Sequence, residues 1–392
     1  MTNKESQHAL LDLAFRPFFL LGATFSMIAL WLWGANLHGW VSYAYHGYSQ
    51  LWHGHEMLFG FVAAILVGFL LTAVQNWTGQ RSAHGKVLIL LISLWLLGRF
   101  TVWFAVMLPW WLVIVVDSSF LLTAAWLLAR LLMKKQQRRN YFAVGALLLL
   151  TADNLVFHFA VAAGHFQVAT QALHSVILLI TLLMTVIGGR VIPMFTGNTT
   201  QIPPRPRIEV LDKAGLGLLW ALVAIYIFQL QAYLADSLMA VLFAITALFI
   251  AARCALWRPL STFRHALLWS LHLSYWFIPL GLFLIACHHA GLAISLSTAL
   301  HALTVGAMGG LILSMISRVS LGHTGRPITA VPVIRLALGL ILLAALTRVG
   351  LLILAPSLSL WAWWLSMTFW SLAYGIFLYR YTPILIAPRA DS

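Results

Sequence analysis

Residues 55–79 read HEMLFGFVAAILVGFLLTAVQNWTG. A histidine opens an apolar run, and Thr78-Gly79 closes it. The same frame runs from His174 to Thr196-Gly197 and from His301 to Thr324-Gly325, with His-to-Thr spacings of 23, 22 and 23 residues. Each run has the length of one membrane span, about 20 residues. The three histidines follow one another by 119 and 127 residues. A neutral imidazole at the edge of hydrocarbon is costly unless it binds something. Three of them at one depth suggest a ring of helices converging on a metal or haem.

The 392-residue chain is 62% hydrophobic and 8% charged. A soluble domain carries about a quarter charged residues. The composition therefore predicts an all-α polytopic membrane protein. Net charge is +14, but the basic residues sit in short loops, where they orient helices; they do not point to nucleic acid. Cys254 and Cys287 form no spacing pattern for a disulfide framework or a thiolate metal site. The first apolar run lacks a small-residue cleavage site and reads as a retained helix.

Twelve spans are predicted, near 17–37, 55–76, 87–107, 110–130, 141–163, 172–189, 215–232, 234–252, 267–288, 298–317, 333–354 and 360–380. Alternate loops lack Lys and Arg, and with the termini 21 of 23 basic residues fall on one side. By the positive-inside rule that side is cytoplasmic, which gives a multi-pass protein with both termini inside. The exceptions, Arg99 and Arg348, lie within spans, 44 and 47 residues after His55 and His301. Asp117 and Asp236 each follow their histidine by 62 residues, and Arg190 and Arg318 each precede their Thr-Gly by six. These offsets predict one transmembrane domain, 1–392, of three parallel four-helix repeats at about 10–135, 136–255 and 256–385.

The polar groups gather in the outer half. His55, His174 and His301 start their helices there, and Arg99 and Arg348 reach similar heights. His158 lies near the outer end of its helix, with Asn154 four residues earlier on the same face. His272 alone lies clearly in the inner half. His38, His46, His165, His288 and His289 read as outer-loop residues; His8, His84, His265 and His323 read as solvated on the cytoplasmic side. Taken singly, a histidine at a helix end bonds interfacial water, and Arg99 could pair with Asp117 purely for structure. The coincidence of depth and spacing favours ligation. Imidazole suits Cu, Fe and Zn, and the chain has too few carboxylates for hard cations. Haem adds propionates, for which Arg99 and Arg348 have the charge. Glu56, Asp153 and Asn154 are placed to orient histidine tautomers.

The strings LAFRPFFLLG (13–22), HGHEMLFGFVAA (53–64), FLLTAVQNWTG (69–79), GGRVIPMFTGN (188–198) and HALTVGAMGGLILSMISRVSLGHTGR (301–326) resemble the NnrS family from the first helix to the last. The resemblance implies a twelve-helix bacterial inner-membrane protein of denitrification and nitrosative stress that contains haem and copper and handles nitric oxide. More distantly, the architecture resembles the large subunit of haem–copper oxidases, whose metal-binding histidines lie on helices 2, 6, 7 and 10. Here helix 7 carries Trp220 and no histidine, and helix 10 has one histidine where oxidases use two. A proton-pumping oxidase is therefore not expected.

The leading expectation is a haem b- and copper-binding membrane protein that reacts with, senses or detoxifies nitric oxide. By the helix-2 and helix-10 analogy, His55 and His301 are the axial haem ligands. His174 and His158 are left for a second metal or an open distal site. An enzyme of this kind would be an oxidoreductase fed by quinol or a cytochrome. The competing class is a transporter of copper, haem or a small anion, which parallel repeats and buried His, Asp and Arg would also suit.

Overall fold

The computed structural model describes residues 6–391 apart from 43, 44, 46 and 204, with side chains from Ala9 onward. His46 and the side chain of His8 lie outside the described residues. Everything regular that is described is helical. Among the described residues, eleven helices are long and apolar enough to cross a membrane: α1 (Phe15–Leu37), α2 (Ser49–Thr78), α3 (Gly85–Trp103), α4 (Trp110–Lys134), α5 (Arg138–Ala162), α6 (Phe166–Thr200), α7 (Glu209–Ile227), α8 (Asp236–Ala255), α9 (Ala266–His289), α10 (Leu296–His323) and α11 (Pro332–Leu354). The helix α12 (Ser359–Ile386) is 28 residues long, about 42 Å at 1.5 Å per residue. Its Trp, Tyr and Ser residues make it less apolar than the others. The chain is an integral membrane protein.

Several helices run further than hydropathy foretold. The spans expected at 55–76, 172–189 and 298–317 extend to Ser49–Thr78, Phe166–Thr200 and Leu296–His323. A helix ends where its backbone bonds end, not where its side chains turn polar. Gly79, at φ 65°, stops α2, and the Ser295 hydroxyl caps α10 by accepting from Thr298 N at 3.1 Å. His55, His174 and His301 therefore do not open their helices. Each lies within its helix, between one and two and a half turns from the start.

The chain packs as two compact units: Met1–Val176 with Ser320–Arg326 and Leu378–Ser392, and Ile177–Val319 with Pro327–Phe377. In the first unit, α2 packs on α1 and α4, and α4 also packs on α3 and α5. Arg16, near the start of α1, is buried and donates to the carbonyls of Leu385 (2.8 Å) and Ala387 (2.6 Å), which ties the start of α1 to the end of α12. In the second unit, α9 packs on α8 and α10, α7 on α8, and α11 on α10. The histidine-bearing α2, α6 and α10 are among the most buried helices, at 78%, 72% and 78% of their apolar stretch, whereas α7 is 28% buried.

Among the described residues, three π-helical segments interrupt the α-helices, at Glu56–Val62, Ala302–Gly309 and Leu346–Leu351. The first begins directly after His55, the second directly after His301, and the third contains Arg348. Such wide turns concentrate at functional sites because they re-aim side chains and release backbone carbonyls. Released carbonyls need donors. Gly60 O accepts from Trp95 Nε1 at 2.9 Å, and Gly309 O from Tyr374 Oη at 2.9 Å.

Candidate metal centre

The first unit holds a buried polar cluster assembled from four helices. His55 and Glu56 come from α2, Arg99 from α3, Asp117 from α4, and Asn154 and His158 from α5. Arg99 and Asp117 meet because α3 and α4 form a hairpin and the two residues are equidistant from Leu108 in its turn. Gly98 permits the approach: a Cβ there would lie 2.9 Å from Asp117 Oδ1. Gly60 leaves room for the guanidinium, since its Cβ would sit 3.2 Å from Arg99 Nη1.

The carboxylates are the hub of the cluster, and Arg99 Nε alone of the guanidinium nitrogens is buried without a hydrogen bond among the described residues. Glu56 Oε1 accepts from Arg99 and lies 2.9 Å from His55 Nδ1. Arg99 also pairs with Asp117 Oδ1. Asp117 Oδ2 lies 2.9 Å from His158 Nε2 and 3.3 Å from His55 Nε2. Asn154 Nδ2 donates to Asp117 Oδ2 at 2.8 Å, which turns its Oδ1 to His55 Nε2 at 3.0 Å. His55 is fully buried, stacked on Phe157 at 4.7 Å and beside His158 at 5.0 Å. The two carboxylates exceed the one guanidinium by one charge. In a membrane interior that excess calls for a cation, as a bound metal or as a proton on the imidazoles.

The donor set suits a metal. One ligand atom each from His55, Asp117 and His158 lies within 4.8 Å of the others. Ligand atoms about 2.0–2.2 Å from one ion lie about 2.8–3.6 Å apart at octahedral or tetrahedral angles. The 2.9 and 3.3 Å contacts to Asp117 Oδ2 fall in that range. Glu56 on Nδ1 would hold the His55 tautomer that points Nε2 at the ion. Two imidazoles and a carboxylate with open positions fit copper, zinc or non-haem iron.

The residues named from sequence are thus sorted. His55, His158, Glu56, Asn154 and Arg99 come together, and Arg99 meets Asp117. His174, in the same unit, is half-buried and makes no hydrogen bond among the described residues. Asp153 is buried elsewhere and accepts from Ser175 Oγ at 3.0 Å. In the second unit, His301 Nδ1 lies 2.6 Å from Ser297 O, and Arg348 Nη2 lies 3.3 Å from His301 Nε2. Arg348 is buried and forms no ion pair among the described residues. Asp117 is a candidate ligand that the sequence suggested only as a partner for Arg99. The hairpin symmetry was the signal that could have found it. The matching Asp236 is not its counterpart, because it starts α8, is largely exposed, and pairs with His289 at 2.8 Å. His323, expected in solvent, packs against Phe15 at 5.5 Å. His272 meets Thr196 Oγ1 at 2.9 Å.

No curated protein matches the chain. The family model described as NnrS protein matches residues 9–389, and the chain belongs to the NnrS family.

Proposed function

We propose that this protein is a metal-binding membrane protein of the nitric-oxide response, with copper held by His55, His158 and Asp117. The observation that carries the reading is the buried His55–Asp117–His158 group with its ligand atoms within 4.8 Å. Bound copper would supply an open coordination position and one-electron chemistry for a diatomic ligand. The chain's own residues do the rest. Glu56 fixes the His55 ring through Nδ1, Asn154 fixes the Asp117 carboxylate, and Arg99 offsets part of the acidic charge. Phe59 and Phe157 flank the His55 ring and exclude water from it. Nitric oxide, small and uncharged, reaches such a site through lipid without a polar channel.

Haem b is assigned to the second unit. The His301 Nδ1–H donates to Ser297 O, which sets the tautomer whose Nε2 is an acceptor, the form that would ligate haem iron; Arg348 Nη2 meets that nitrogen at 3.3 Å. Arg348 beside it, buried without an acidic partner among the described residues, would serve a propionate. His55 suits an axial role less well, because both its ring nitrogens already face side-chain oxygens. His174 remains a reserve ligand. Electrons would come from quinol or a cytochrome.

The glycines five residues after His55 and His301 support parallel repeats. Phe25 of α1 lies on Gly60, and Phe277 of α9 lies on Gly306. The tie between Arg16 and the end of α12 supports an even number of crossings, hence twelve, with both termini on the basic-loop side, the cytoplasm of a bacterial inner membrane. The test is absorption and electron paramagnetic resonance of the purified protein, before and after nitric oxide. Copper and a Soret band that both respond to the gas are expected. A protein isolated without either group, or with signals that nitric oxide leaves unchanged, overturns the reading and favours a transporter.

A further inference from the structure

The string 188–198 contributes nothing to the metal centre, yet it builds the wall of a pocket of about 510 Å³ in the second unit. Gly189, Arg190 and Asn198 line it from α6. Arg205 and Arg207 line it from the segment between α6 and α7, and Arg253 from α8. Arg205 and Arg207 are exposed, and Arg253 is buried.

Arg253 is fixed in place. Its Nε pairs with Asp212, and its Nη1 donates to Thr185 O at 3.0 Å and to Tyr275 Oη at 3.1 Å. The guanidinium lies directly on Gly189, where any Cβ would collide with it, so the second glycine of the Gly188-Gly189-Arg190 run is required. Nη2 makes no hydrogen bond among the described residues, and the residue borders the pocket. Arg253 thus offers two N–H donors from a rigid mount. Among the described lining residues Asp212 is the only acid, and it is already spent on Arg253, so Arg205 and Arg207 leave the pocket positive.

We propose that this pocket binds a phosphate-bearing anion between the fixed Arg253 Nη2 and the guanidinium groups of Arg205 and Arg207. Guanidinium forks match phosphate oxygens in pairs, which isolated lysines do not. The volume falls within the roughly 300–1,000 Å³ of small-molecule sites and exceeds what one inorganic phosphate fills. A diphosphate or a glycerophosphate headgroup suits it. The basic loops mark this end of the helices as cytoplasmic, where both soluble phosphates and anionic lipid headgroups are within reach. Nothing in the inference depends on the metal centre.

The test uses the full-length, detergent-purified and delipidated protein in two arms. One arm measures radiolabelled pyrophosphate binding by equilibrium dialysis. The other measures lipid retained after mixing with vesicles of phosphatidylglycerol or of phosphatidylcholine, by native mass spectrometry. Wild type should retain pyrophosphate, phosphatidylglycerol over phosphatidylcholine, or both, and the arm that responds names the source. The R205A/R207A variant, altered only at exposed positions, should lose about tenfold or more, and R138A/R139A, with the same charge loss on another loop, should bind as wild type. The proposal is overturned if wild type retains neither probe, if R205A/R207A binds as well as wild type, or if R138A/R139A loses as much.

Discussion

His55 and His301 occupy the same backbone device and live in opposite chemistry. Each is the last α-helical residue before a π segment, and each is followed five residues later by a glycine under a phenylalanine ring. In each π segment an aromatic side chain from another helix caps a glycine carbonyl. Around His55, neighbouring helices bring Asp117, Asn154 and His158, and the ring is fully buried. Around His301 they bring Arg348, and the ring is half-buried. The local winding presents a histidine; the residues arriving from adjacent helices decide what it can hold. Two acids against one arginine leave an excess of one negative charge that suits a cation. A buried arginine with no acidic partner among the described residues, beside a histidine, suits the anionic group of the haem proposed there.

The asymmetry is most exposed to test at the acids. Asp117→Ala should destabilise the protein by about 3 kcal/mol, because it takes the shared acceptor from His158, Asn154 and Arg99 Nη2 in the interior, although Glu56 still pairs with Arg99. Arg348→Ala, which strands no acid, should cost distinctly less. Thermal unfolding in detergent compares the two, and equal losses would erase the contrast. Glu56→Gln should weaken metal affinity at the His55 centre about 10–100-fold, as loss of a tautomer-orienting carboxylate does elsewhere. Competition with a chelator measures this, and an unchanged affinity would remove Glu56 from the site. The smallest effects belong to the shared winding. Trp95→Phe and Tyr374→Phe each remove one carbonyl cap and should each cost about 1 kcal/mol. Similar melting shifts for the two would sharpen the parallel, and a shift in only one would break it.

Much of this architecture is legible in the amino-acid sequence alone. Apolar runs of span length foretell all but the ends of the helices. The ends escape because Ser49, Gln50 and His53 are polar yet keep helical bonds, so hydropathy stops before the helix does. The Arg99–Asp117 pair follows from the hairpin, and Asn154 and His158 from their four-residue spacing. The π segments are invisible, since nothing in HEMLFGFV distinguishes a wide turn from an α-turn except a glycine placed for close packing. Asp117 escapes notice as a candidate ligand for the same reason: offsets along a sequence align positions but do not say which side chains face each other. Asp117 and Asp236 share an offset of 62 residues, yet one is buried in a helix and the other opens one at the surface.

The central claim is that His55, His158 and Asp117 hold a metal that His301 does not. Copper content and the electron paramagnetic resonance spectrum should be measured on purified wild type and on His55→Ala, His158→Ala, Asp117→Ala and His301→Ala, with His84→Ala as a control. The first three should lose the copper and its signal, while His301→Ala should keep the copper but lose or shift the haem band, and His84→Ala should change neither. Wild-type copper in both His55→Ala and His158→Ala would contradict the claim.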